Sequence, residues 1–226
     1  MKACEGYTYA LAGTDVAPIV IFGIAFWLLS TGLRYPAPRV RLAVNAAAVA
    51  LVVGSAVAGP IRKTFMAAET GETCNNLHAM QLPFFTVMSL AFAVLAWATW
   101  SVLRERVMPW QVWLAPVLLI WASALFVGED IILLAGGGIY AVIWAGLLAR
   151  VSVREGTTGA AVLFVLYAVG TLGLPVLASG EERSDSSNQW LEQGANTLNM
   201  VLLAAGSYLL RGATQRSGDR SVLVEK

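Results

Sequence analysis

The sequence predicts an all-α membrane protein, a bundle of seven transmembrane helices with the N-terminus outside and the C-terminus in the cytoplasm. Three observations carry that expectation: a composition short of charge, apolar runs of spanning length, and basic residues that alternate between the two sides. Of the 226 residues, 58% are hydrophobic and 13% charged, with a mean hydropathy of +0.68. A water-soluble domain carries about 25% charged residues, and half that share cannot cover a surface facing water.

A helix crossing the hydrocarbon core needs about 20 mostly apolar residues. Seven runs meet or approach that length: Val16–Leu33, Val40–Gly59, Gln81–Leu103, Trp110–Val127, Ile131–Arg150, Thr158–Ala178 and Trp190–Leu210. The shorter ones suit a thin bilayer or helices near its normal. Only Gly128-Glu129-Asp130 separates the fourth run from the fifth. One span of their combined length is far too long, so an antiparallel hairpin is expected there.

Orientation follows from the excess of Lys and Arg on the cytoplasmic side of membrane proteins. Arg34, Arg39, Arg41, Arg104, Arg106, Arg150, Arg154, Arg211, Arg216, Arg220 and Lys226 fall on one side, and Lys2, Arg62, Lys63 and Arg183 on the other. Eleven against four sets the first group in the cytoplasm. The segment before the first run holds Lys2, Glu5 and Asp15, not the positive n-region of a signal peptide, so that run is read as an anchor. Residues 1–211 form a single transmembrane domain in this reading, and 212–226 a polar cytoplasmic tail without fixed structure. The longer connections, Pro60–Met80 and Ser179–Gln189, both lie outside.

Cys4 and Cys74 are the only cysteines, and both fall in external segments. A disulfide persists there, so the two are a candidate bridge between the N-terminal arm and the external loop; two free thiols are the alternative.

The polar pattern that stands out lies on the seventh run. Gln189, Glu192, Asn196 and Asn199 are spaced three, four and three residues apart and share one helical face. At 1.5 Å per residue, Asn199 lies about 10 Å deeper than Glu192. Lipid offers such groups no partner, so the stripe faces either a wet hollow open to the outside or a neighbouring helix that the amides glue in place. Glu129 and Asp130 at the hairpin, His78 and Gln81 at the head of the third run, and Asp15 opening the first stand at the same level. Solvated interfacial charges and an N-cap are the plain alternatives. Trp121 lies deep enough to line a cavity, whereas Trp97, Trp100, Trp110 and Trp113 read as an interfacial belt near the cytoplasmic end. A protonated acid beside an ionised one is an acid/base arrangement, and Glu192, Glu129 and Asp130 are its candidates, with Asn196, Asn199, Gln189, His78, Gln81 and Trp121 as the groups that would bind substrate.

Several chemistries lack their parts. Seven spans with an outside N-terminus resemble the topology of microbial rhodopsins, but retinal needs a lysine in the seventh helix, and the lysines are Lys2, Lys63 and Lys226. One histidine, His78, excludes bis-histidine haem and multi-histidine zinc sites, so no metal is expected. No phosphate-binding glycine loop, nucleophile elbow or Cys-x-x-Cys motif is present, which argues against nicotinamide and flavin dinucleotides. A net charge of +1 gives no case for nucleic acid. The partners left are the lipid bilayer and a hydrophobic small molecule; the sequence does not fix the oligomeric state. Three functions fit: an intramembrane enzyme acting on a lipid or isoprenoid substrate by carboxylate acid/base chemistry in a pocket open to the outer face, a small-solute transporter or channel, and a membrane sensor or accessory protein.

Overall fold

The computed structural model describes residues 8–68, 81–128, 130–178 and 186–224; at 130, 175–178, 186–189 and 217–224 the description covers the backbone alone. Among these residues every regular element is a helix: α1 (Tyr9–Thr14), α2 (Val16–Gly32), α3 (Pro38–Ala56), a π-helical turn (Val57–Ile61), α4 (Arg62–Ala68), α5 (Leu82–Leu103), α6 (Gln111–Val127), α7 (Asp130–Arg154), α8 (Thr158–Ala178) and α9 (Ser186–Val224). Each apolar run of the sequence falls on one of them.

Among the described residues, four helical rods are long and apolar enough to cross a membrane: Tyr9–Gly32, Pro38–Ala68, Leu82–Leu103 and Ile131–Arg154. They mark the chain as a membrane protein. Gln111–Val127 and Thr158–Leu174 are shorter apolar helices. The outward surface agrees with a lipid environment: Phe126 is 93% exposed and Leu125 86%, an apolar face that water would penalise.

Three helix limits differ from the sequence reading. The first rod begins at Tyr9, where the Thr8 hydroxyl accepts from the Leu11 amide at 3.2 Å. Asp15 therefore sits inside the rod, in helical geometry and with no capping bond from its side chain, and not as the N-cap of α2. The second rod does not stop at Gly59 but runs to Ala68. Pro60 lacks an amide hydrogen and its ring crowds the carbonyl four residues back; the wider π turn over Val57–Ile61 takes up that defect and the helix resumes. At the other end of the chain, α9 continues to Val224 past the point where an irregular tail was expected. No proline interrupts it, and side chains serve its carbonyls: Thr214 Oγ1 donates to Leu210 O at 3.2 Å and Arg216 Nε to Gly212 O at 3.0 Å.

Helix neighbours close into a ring. In order around it, α2 packs on α3, α3 on α5, α5 on α7, α7 on α8, α8 on α9, and α9 back on α2, while α6 lies outside against α5 and α7. The middle of the ring is filled by aromatic rings. Trp144, 1% exposed, stacks on Phe26 at 5.6 Å and meets Phe92 at 5.7 Å and Tyr167 edge-on at 6.5 Å. Four helices thus contribute to one plug. Below it, Phe26, Leu29, Leu33, Tyr35, Val44, Leu95, Thr99 and Trp144 line a cleft of about 10 Å³, room for roughly one water.

The basic end is consolidated by its turns. Glu105 adopts a left-handed φ of 54° beyond α5, and Arg154 Nη1 reaches back to the terminal carbonyls of Val102 and Leu103 at 3.3 and 3.2 Å. Trp97 belongs to this turn: its indole donates to Met108 O at 2.7 Å and the ring is buried. It faces the bundle, not the lipid interface where the belt reading had it. Gly128, with φ 76°, ends α6, and α7 starts at Asp130, so two separate helices meet at the glycine.

Candidate functional site

A buried group of charges stands where the first two rods face α9. Lys63 Nζ lies 2.9 Å from one Asp15 carboxylate oxygen and 3.0 Å from the other. Asp15 is 5% exposed, and Arg62, Lys63 and Gln193 are buried as well. The Gln193 side chain stands beside Asp15, and the Arg62 guanidinium adds an attractive field. Arg62 Nε also donates to Ala58 O at 2.8 Å, inside the π turn.

Local structure brings these groups together. The π turn shifts the angular phase of the second rod just before Arg62 and Lys63, and it presents Gly59 to the carboxylate. A Cβ at Gly59 would stand 3.2 Å from Asp15 Oδ2, tighter than ordinary contact, so the glycine lets the acid approach. α9 closes the third side with Gln193. The buried side-chain oxygen of Gln193 has no hydrogen-bond partner.

The stripe on α9 divides into separate environments. Glu192 and Asn196 are half-buried. Asn199 is buried against α8, where its NH₂ donates to Thr171 Oγ1 at 3.1 Å and its side chain rests on the bare backbone of Gly170. That is the geometry of helix–helix glue. Trp121 is half-buried, and its indole donates to Ser89 Oγ at 3.0 Å across the α5–α6 contact. Gln81 precedes α5 and is half-buried, without a side-chain capping bond. Asp130 opens α7 and Gln189 lies on α9, but their side chains, like the whole of Glu129, His78, Cys4 and Cys74, lie outside the described residues.

Sequence reasoning missed Arg62, Lys63 and Gln193. Two signals for the cations were present: they are exceptions to the basic-inside pattern, and nothing but Pro60 breaks the helix before them. Gln193 stands one residue from Glu192, four from Gln189 and three from Asn196, so a small rotation of the assumed face would have included it.

A bidentate carboxylate–ammonium pair beside an amide can orient a polar head group and exchange a proton with it. Ionisable groups inside spanning segments are costly and mark functional centres by default. No family model matches the sequence, and no curated protein and no solved structure matches it either.

Proposed function

We propose that the protein is a seven-span membrane protein, N-terminus outside and C-terminus in the cytoplasm, that acts on a lipid or isoprenoid substrate through acid/base chemistry at its outer end. The observation that carries this reading is the buried Asp15–Lys63 pair, with oxygen–nitrogen distances of 2.9 and 3.0 Å, set in two rods of membrane-spanning length. Asp15 is the proton-handling group; Lys63 and Gln193 orient its two oxygens. Glu192, Glu129 and Asp130 complete the set of acids at that level, and Asn196, Gln189, His78 and Gln81 the groups that hold the substrate. A Cys4–Cys74 bridge would tie the arm to the loop above them.

The aromatic plug supports chemistry over conduction. Phe26, Phe92, Trp144 and Tyr167 fill the ring beneath the charges, whereas a permeation path needs polar groups through both halves of the membrane. One feature favours a small-solute carrier instead: the π turn at Val57–Ile61 interrupts a helix beside the ion pair, and interrupted helices form the central sites of many carriers.

Mass spectrometry of small molecules retained through gentle purification tests the choice. The wild type is expected to carry a lipid or isoprenoid that D15N retains unconverted. Flux of a polar solute through liposomes containing the wild type, abolished by D15N, would replace the enzyme with the carrier.

A further inference from the structure

The geometry points to a second site at the opposite end of the bundle: the seam between the ends of α2 and α9 binds the phosphate head group of one anionic phospholipid. Arg211 is its centre. The guanidinium lies over the Trp27 ring, 4.6 Å from its centroid. The stem of the side chain packs on Gly32, where a Cβ would stand 2.8 Å from Arg211 Cβ. Arg34 reaches the same seam from the end of α2, donating through Nη2 to Thr214 O at 3.2 Å. Thr214 is three residues beyond Arg211 on the same helical face, so both guanidinium groups lie along the α2–α9 seam.

Among the described residues, the cations there lack anions. Residues 33–45 and 204–216 contain no acidic residue. Among the described residues, Arg34, Arg39, Arg41, Arg211 and Arg216 make no ion pair. The Arg211 Nε atom is buried with no acceptor at all, a costly state for a charged donor. A phosphate diester offers acceptors to the guanidinium groups of Arg34 and Arg211 and matches them in geometry.

The surface beside the seam identifies the source of that phosphate as a lipid. Trp27 is 58% exposed, and Val20 and Ile24 extend the same outward stripe along α2. Acyl chains would lie on that stripe while the indole sits at head-group level, as interfacial tryptophans do. Basic pockets between helix ends on the cytoplasmic side are a known mode of lipid head-group capture. The site shares no residue with the Asp15–Lys63 ion pair at the other end, so it stands whether or not the proposed chemistry does.

Native mass spectrometry of the full chain in neutral detergent, titrated with phosphatidylglycerol, tests the site. One phosphatidylglycerol is expected to be retained tightly, and phosphatidylcholine of equal chain length is not. A basic residue near the surface contributes about fivefold in affinity, so R211A and R34A should each weaken retention about fivefold. R104A, elsewhere on the basic end, should leave it unchanged. Arg34 is exposed, so R34A remains informative if R211A fails to fold. Three results would overturn the proposal: equal retention of phosphatidylcholine, displacement of the lipid by millimolar inorganic phosphate, or wild-type retention by R34A and by R34A/R211A.

Discussion

Replacing Asp15 with asparagine takes away the one anion that Lys63 touches, and the structure fixes how much that should matter. Both carboxylate oxygens stand within 3.0 Å of the ammonium, and the side chains are 7% and 11% exposed for Asp15 and Lys63. At an effective dielectric near 20, unit charges about 3 Å apart attract by roughly 5 kcal/mol, and breaking a buried pair from one side costs about 3–5 kcal/mol. D15N should fall in that range. K63M should cost less, because Asp15 keeps the attractive field of Arg62. The double variant D15N/K63M leaves no unpaired charge and should recover most of the loss, ending within about 1–2 kcal/mol of the wild type. Unfolding in mixed micelles, with the four proteins treated as a double-mutant cycle, measures these terms. Additive losses in the double variant, or a D15N loss below about 1 kcal/mol, would refute a buried, mutually dependent pair.

Other expectations concern packing and pH. G170A brings a methyl group to 2.9 Å from Asn199 Cγ on a side chain held by Thr171, so it should cost about 1–3 kcal/mol; G137A meets the flexible Met88 side chain and should be milder, as thermal denaturation in detergent would show. W144A empties the aromatic plug and should cost about 3–5 kcal/mol by cavity formation, with loss of near-ultraviolet circular dichroism from the stacked rings. Tyr35 lies between α2 and α3, outside the spanning segments; burial raises its phenol above the ordinary 10.0, and the hydroxyl donates to Leu29 O. A raised folded-state value means its contribution is complete below about pH 10 and is lost as pH rises beyond that. Y35F should therefore flatten the alkaline fall in stability, measured as melting temperature against pH.

How much of this was legible depends on which force sets each feature. Apolar runs located every helix in the ring, because lipid leaves a backbone no alternative to helical pairing. Hydropathy failed at helix ends, where it changes before the helix does. Ile61–Ala68 and Gly212–Val224 are polar enough to read as loop and tail, yet neither carries a strong breaker beyond Pro60, which the π turn absorbs. The site was legible only in outline. Polar spacing on the last helix drew attention to Glu192, but the stripe omitted the buried Gln193 beside it. Partners from Arg62 and Lys63 were hidden by the assumption that charges after an apolar run belong to a loop.

The anomaly in the charge pattern carries the functional argument furthest. A pair kept only to hold helices together would be replaceable by apolar side chains of similar volume, often with a gain in stability. Such residues also cost the protein at insertion, since Arg62 and Lys63 stand at the end of the bundle where basic residues oppose the expected orientation. The π turn that absorbs Pro60 lies just before them, and the bare Gly59 lets Asp15 approach them. The π turn follows from Pro60, but the buried charges and the missing side chain at Gly59 are what the proposed centre, presenting a charged, proton-exchanging group to a substrate, would require. The double variant separates the two accounts: if D15N/K63M is stable and still processes whatever molecule the wild type carries, the pair is architecture, and the outer-end chemistry proposed for it does not exist.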